Sequence, residues 1–311
     1  MRLDVIIILD YYKELLNIND VEFIKKYLNI PCLNRIKEVG YFCGMDYASK
    51  DIYDFGCYVS RFDHSLTTAL LTYKLTHNKV YTLAALFHDI STPCFSHVID
   101  YMNKDYSNQE STEEGTERIL REDKELLNLL KEDNINLDDI INFKKYTVVD
   151  NKRPKLCADR LDGIILTSSF WTKDLDKELM KEILDNIDIF INEDGEEEIG
   201  FTNDQVSDKI MIINENIDII CHSKEDNYMM ELLAAITKKS IDQNIIKYDD
   251  LFIKSEKELL DIIKEEGDTE IDNLLNKFYN IKLDEIEELD LPYIKKRNID
   301  PLVNGKRKST Y

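Results

Sequence analysis

Glycine, proline, histidine and tryptophan are scarce in this chain, at nine, five, five and one of 311 residues. So little glycine and proline, beside 43% hydrophobic residues, excludes fibrous and disordered classes and indicates a large buried core. The six cysteines (32, 43, 57, 94, 157 and 221) include no C-x-x-C pair, which argues against a zinc ribbon or a thioredoxin-like site. They read as reduced thiols. The longest apolar run near the start, Val5 to Leu9, is bracketed by Asp4 and Asp10 and is far too short to span a bilayer. It also lacks the basic leader and small-residue cleavage site of a signal peptide. Positive charge is in deficit, with 40 Lys and Arg against 62 Asp and Glu and a net charge of −22. Such a field repels nucleic acid and anionic lipid. These absences predict a soluble cytoplasmic protein with neither a nucleic-acid nor a membrane partner.

What is present is helical periodicity. Leu66, Ala69, Leu70 and Tyr73 recur at steps of three and four, as do Val80, Leu83, Ala84 and Phe87. Further stripes run through Leu175, Leu179, Ile183 and Ile187, through Tyr228, Leu232 and Ile236, and through Leu259, Ile262 and Ile263. Ser111 and Glu114 have capping-box spacing and predict a helix start ahead of Ile119 and Leu120. The clearest strand signal is a hairpin over 189–202, with Asp194-Gly195 as its turn. The expected class is mainly α, with a small β-hairpin. The tail reverses the charge, with Lys295, Lys296 and Arg297 followed by Lys306, Arg307 and Lys308. It reads as a flexible end by default, with a pocket lid or an oligomer clasp as alternatives.

With five histidines, each can be weighed by its neighbours. His64 stands in Arg61-Phe62-Asp63-His64-Ser65-Leu66, at the start of an apolar-striped helix. His88-Asp89 ends the next stripe, and Thr92-Pro93 stops the helix. Asp159, in Ala158-Asp159-Arg160-Leu161-Asp162, heads another apolar segment. Two imidazoles and two carboxylates suit a divalent ion such as Mn, Fe, Co, Ni or Zn, with Mg less ideal. A core histidine hydrogen-bonded to its neighbour is the competing account of any one of them. His77 and His222 lack partner spacing and are not expected to be ligands.

In their order and flanks, these residues resemble the HD superfamily of metal-dependent phosphohydrolases, whose signature is H…HD…D across a helical core. The flanks look most like the deoxynucleoside triphosphate triphosphohydrolase branch. Arg61 to Leu66 matches its R-x-x-H-S-L, and His88 to Asp100 (HDISTPCFSHVID) is similar to its H-D-x-G-H-x-P-F-S-H stretch. Ala158 to Asp162 is similar to its final A-D-R/K-x-D, and Ile30 to Gly40 to its lead-in. Cys43-Gly44-Met45-Asp46-Tyr47 matches an uncharacterised bacterial HD group closely. The resemblance covers roughly residues 25 to 170 and implies a helical HD core over 1–172. The remainder is expected to form a helical C-terminal region over 173–290 and a basic tail over 291–311.

The resemblance implies one divalent metal ion on His64, His88, Asp89 and Asp159, with Arg61 and Arg160 on phosphate. It implies hydrolysis of a nucleotide or another small phosphate ester by a metal-activated water, with Asp89 also accepting a proton, in a self-associating homo-oligomer. The departures are specific. The second histidine of the triphosphohydrolase pattern is Thr92, a further one is Gln109, and Glu38 stands where some members carry a sugar-reading Gln. Neither threonine nor glutamine titrates near neutrality. His97 or Glu110 then becomes the candidate proton donor. The alternative is a regulatory protein that binds metal and nucleotide without turnover.

Overall fold

A computed structural model describes residues 5–18, 21–107, 115–291 and 294–310. Helix dominates, as the periodicity predicts: among the described residues there are fifteen α-helices and one small four-stranded sheet. The helix Arg61–Thr76 is the centre of the molecule. Ser60 starts it with a reciprocal cap, its hydroxyl accepting from the Asp63 amide while the Asp63 carboxylate accepts from the Ser60 amide. It is buried on every face from Arg61 to Tyr73, as befits a helix surrounded by others. His77 ends it in the left-handed conformation and is exposed. Asn78 caps the following helix, Lys79–Phe87, and both Lys79–Phe87 and the helix Ala158–Phe170 pack against Arg61–Thr76. The predicted capping box at Ser111 and Glu114 lies outside the described residues; the helix Thr116–Glu122 follows it.

Apolar side chains gather into two clusters. One wraps the central helix with the N-terminal helices and includes Ile183 and Ile210. The other joins Phe42, Phe55 and Phe95 to the C-terminal helices through Met229, Leu259 and Phe278. Each cluster draws on residues from both sides of position 172.

The hairpin forms where the Asp-Gly signal predicts, Ile187–Ile191 pairing antiparallel with Glu197–Phe201. Gly195 has φ +79°, a conformation that costs a side-chain-bearing residue free energy. Ile187 departs from the helical reading. The helix Lys177–Asp185 ends before it, and the alternation Ile187, Ile189, Ile191 has the period of two that suits a strand. The tail also differs from a flexible end. Leu302–Val303 adds parallel to Glu197–Phe201, and Lys306–Arg307 closes the sheet. Arg307 pairs with Glu198 at 2.6 Å and Glu193 at 2.7 Å, and Lys308 with Asp208 at 3.0 Å. No helix among the described residues is long and apolar enough to cross a membrane.

Candidate metal centre and its cavity

Three helix ends bring the quartet together. His64 lies in the first turn of Arg61–Thr76, His88 caps the C-terminus of Lys79–Phe87 with Asp89 next to it, and Asp159 lies in the first turn of Ala158–Phe170. His64 Nε2 is 2.9 Å from Asp159 Oδ1 and 3.9 Å from Asp89 Oδ2. His88 Nε2 is 3.4 Å from the same Asp159 oxygen and 3.7 Å from Asp89 Oδ1. Donor atoms sharing one ion at about 2.1 Å are themselves separated by roughly 3 to 3.5 Å. His64, His88 and Asp89 form one group that could share an ion, and Asp159 lies beside it, within 3.4 Å of both imidazoles.

The outer nitrogens fit the same reading. A carbonyl can only accept, so His88 Nδ1, 2.7 Å from Ala85 O, carries a proton and leaves Nε2 as the free ligand atom. That Nε2 is buried without a hydrogen-bond partner, an arrangement that costs free energy unless something binds there. His64 Nδ1 is held by Asp162 Oδ2 at 2.8 Å, which in turn accepts from Thr67 at 2.7 Å. A carboxylate behind a ligating imidazole fixes its tautomer and raises its basicity. Burial pushes the His64 pKa down, but the hydrogen bonds to Asp159 and Asp162 outweigh it and raise it overall. Asp159 is only partly buried, and although desolvation would raise its pKa, the two imidazoles hold its carboxyl well below the usual range. An ion entering this site would displace a proton from the histidines. The residues present fit a divalent metal.

Residues 61–153 match the HD domain family. The chain carries an HD domain. The matched stretch contains Arg61, His64, His88 and Asp89 and ends before Asp159. Among curated proteins, the uncharacterized protein YdhJ of Bacillus subtilis (strain 168) is 25% identical over 225 residues. That similarity covers 71% of this chain and 66% of the relative, so the chain spans just under two thirds of YdhJ's length.

Around the HD site, a cavity of about 480 Å³ takes in His64, His88, Asp89, Asp159, Arg61, Arg160 and His97. Arg61 pairs with Asp89 at 3.1 Å and donates to Ser96 Oγ at 3.2 Å, rather than to Asp63 or Asp162. Arg160 donates to the carbonyls of Asn151, at 2.6 Å, and Lys155, holding the loop between them. His97 Nδ1 meets the wholly buried Asp100 at 2.9 Å. Burial lowers the His97 pKa, and the charges of Arg61 and Arg297 oppose its protonation further. Glu38 is exposed and does not line the cavity. Thr92 is buried and does not line it either, while Gln109 and Glu110 lie outside the described residues.

Sequence reasoning missed several residues here. Asp162 carried a signal, because three residues beyond Asp159 it shares that helix face. Lys295 and Arg297 line the cavity, in keeping with the pocket-lid alternative for the tail rather than with a flexible end; Asp226 and Trp171 line it too. Nothing local marks Asp226 or Trp171; only the fold brings them in. His222 is half-buried, with Nδ1 bonded to the Asp218 carbonyl, and belongs to no ligating group among the described residues.

Proposed function

We propose that this protein is a metal-dependent phosphohydrolase acting on a nucleotide, dNTP-like, or on another small phosphate ester. The observation that carries the reading is the convergence of His64, His88, Asp89 and Asp159 at a cation-lined cavity. Seven of the residues lining that cavity are Lys or Arg and four are Asp, in a chain whose net charge is −22. A cavity so opposed in sign to the whole protein suits a phosphate-bearing substrate. An aromatic wall supports a nucleoside on the other side of it. Phe42 and Phe55 stack with centroids 4.1 Å apart, and Trp171 meets them edge-on at 6.2 and 5.9 Å.

The side chains then take distinct roles. His64, His88, Asp89 and Asp159 would hold the ion, which when bound polarises a phosphoryl oxygen and lowers the pKa of water. Arg61, aligned by Asp89 and Ser96, presents a guanidinium to phosphate oxygens, while Arg160 lines the same cavity and adds its charge, its terminal nitrogens being held by the Asn151 and Lys155 carbonyls. His97 is the proton carrier: Asp100 accepts from Nδ1, so the neutral ring takes a proton at Nε2.

Metal analysis and a panel of dNTPs, NTPs, monophosphates and cyclic nucleotides with Mn, Mg, Co and Ni test this directly. The expected result is stoichiometric metal and hydrolysis that Asp89→Ala abolishes. Hydrolysis and metal content equal in wild type, His88→Ala and Asp89→Ala would overturn it. Bound metal and a nucleotide-raised melting temperature without turnover would support the regulatory alternative, which the loss of histidine at Thr92 favours.

A further inference from the structure

The tail residue Arg297 comes from a segment far beyond the matched HD domain, yet it lines the same cavity. Its backbone is fixed on one side by the helix Asp204–Cys221: the amide donates to Asp218 Oδ1 and the carbonyl accepts from Asn214 Nδ2, both at 2.6 Å. On the other side the tail is tied to the loop after Asp150. Arg153 donates to the Asn298 carbonyl at 3.2 Å, and the Asp300 amide to the Pro154 carbonyl at 3.0 Å. The guanidinium itself makes no hydrogen bond or ion pair among the described residues. Its charge bears on Tyr41, Cys43 and Asp226, which line the cavity with it. By contrast, three other arginines of this acidic chain are held by carboxylates: Arg61 by Asp89, Arg121 by Glu117 and Asp138, Arg307 by Glu193 and Glu198. A half-buried guanidinium with a fixed backbone and an unspent fork is a preformed oxyanion receptor.

We propose that Arg297 is a second anion subsite of the cavity, taking a phosphate of the substrate other than the one held at the metal centre. This rests on the phosphohydrolase reading and narrows it. The substrate carries at least two phosphate groups, as in a nucleoside di- or triphosphate, and the C-terminal segment selects for the second. Arg297 touches no metal ligand and acts in binding and specificity.

The test is calorimetric titration of inorganic tripolyphosphate into the full-length chain at saturating Mn²⁺, for wild type, Arg297→Gln and Arg297→Lys. Loss of a charge-assisted contact predicts about 10- to 100-fold weaker binding in Arg297→Gln, with Arg297→Lys in between. Thermal melts establish that each variant is folded, and KM for any nucleoside triphosphate that is turned over rises in the same order. Equal affinity in wild type and Arg297→Gln overturns the subsite, as does a wild type that does not bind tripolyphosphate. A wild type that binds through Arg297 but hydrolyses nothing keeps the subsite and removes the hydrolase reading. Hydrolysis that depends on Asp89 but is indifferent to Arg297 does the reverse.

Discussion

Glu256 stands at the start of the helix Glu256–Glu266 with its side chain wholly buried. Its Oε1 accepts from the Phe95 amide at 2.9 Å, and so anchors the loop that carries Ser96 and His97. Its Oε2 is buried with no hydrogen-bond partner, as is Asp46 Oδ2. These two oxygens lie 3.0 and 2.8 Å from where a β-carbon on Gly40 would stand, so two carboxyls share one buried recess. Burial, reinforced by Asp46, pushes the Glu256 pKa from 4.5 up to about 8. Between those values the folded chain retains a proton that the unfolded chain has released. Stability is therefore full below pH 4.5 and declines as the pH rises to about 8. The shift corresponds to a loss on the order of 4 to 5 kcal/mol. Glu256→Gln is neutral at every pH, keeps the acceptor for Phe95 and places an amide donor beside Asp46. Its melting temperature, followed by circular dichroism from pH 5 to 9, should match wild type near pH 5. It should exceed wild type by on the order of 10 °C above pH 8. A difference that does not vary with pH, or a variant less stable at pH 8.5, refutes the reasoning.

Two further substitutions probe the site and the tail. Asp162→Asn removes the charge behind His64 and should weaken Mn²⁺ binding about 10- to 100-fold, read by calorimetry on metal-stripped protein; unchanged affinity would mean that Asp162 does not tune the ligand. Arg307→Ala leaves the wholly buried Glu198 with only the Leu156 amide and Asn192 as donors, and should cost about 3 kcal/mol in urea unfolding. Replacing Glu198 by Gln in the same chain should recover part of that loss, and no recovery would argue against an uncompensated charge.

The parts of the site legible in the sequence were those with local context. His64 and Asp159 each head an apolar helix, and His88-Asp89 ends one, so stripe and polar residue could be read together. Arg297, Asp226 and Trp171 reach the cavity through long-range packing, which no short pattern encodes. The tail was a different kind of omission. Its terminal position drew the reading toward a flexible end, although Val303-Asn304-Gly305-Lys306 holds an Asn-Gly turn signal. The structure uses it, with Asn304 at φ 48° and Gly305 at φ 80° between Leu302–Val303 and Lys306–Arg307. Ile187 shows the opposite hazard, since a step of four carried the helical stripe two residues past the end of its helix.

The parallel pairing of Leu302–Val303 with Glu197–Phe201 has a consequence for how the protein comes into being. During synthesis the proposed ligands have all emerged by Asp159, well ahead of Arg297 and the strand Leu302–Val303. On the proposed function, a nascent chain would thus hold the four candidate ligands well before the far lining of the cavity exists. Cutting the chain at Leu291 would restore that juvenile condition: the proposed ligands present and the cavity without Ile294, Lys295 and Arg297.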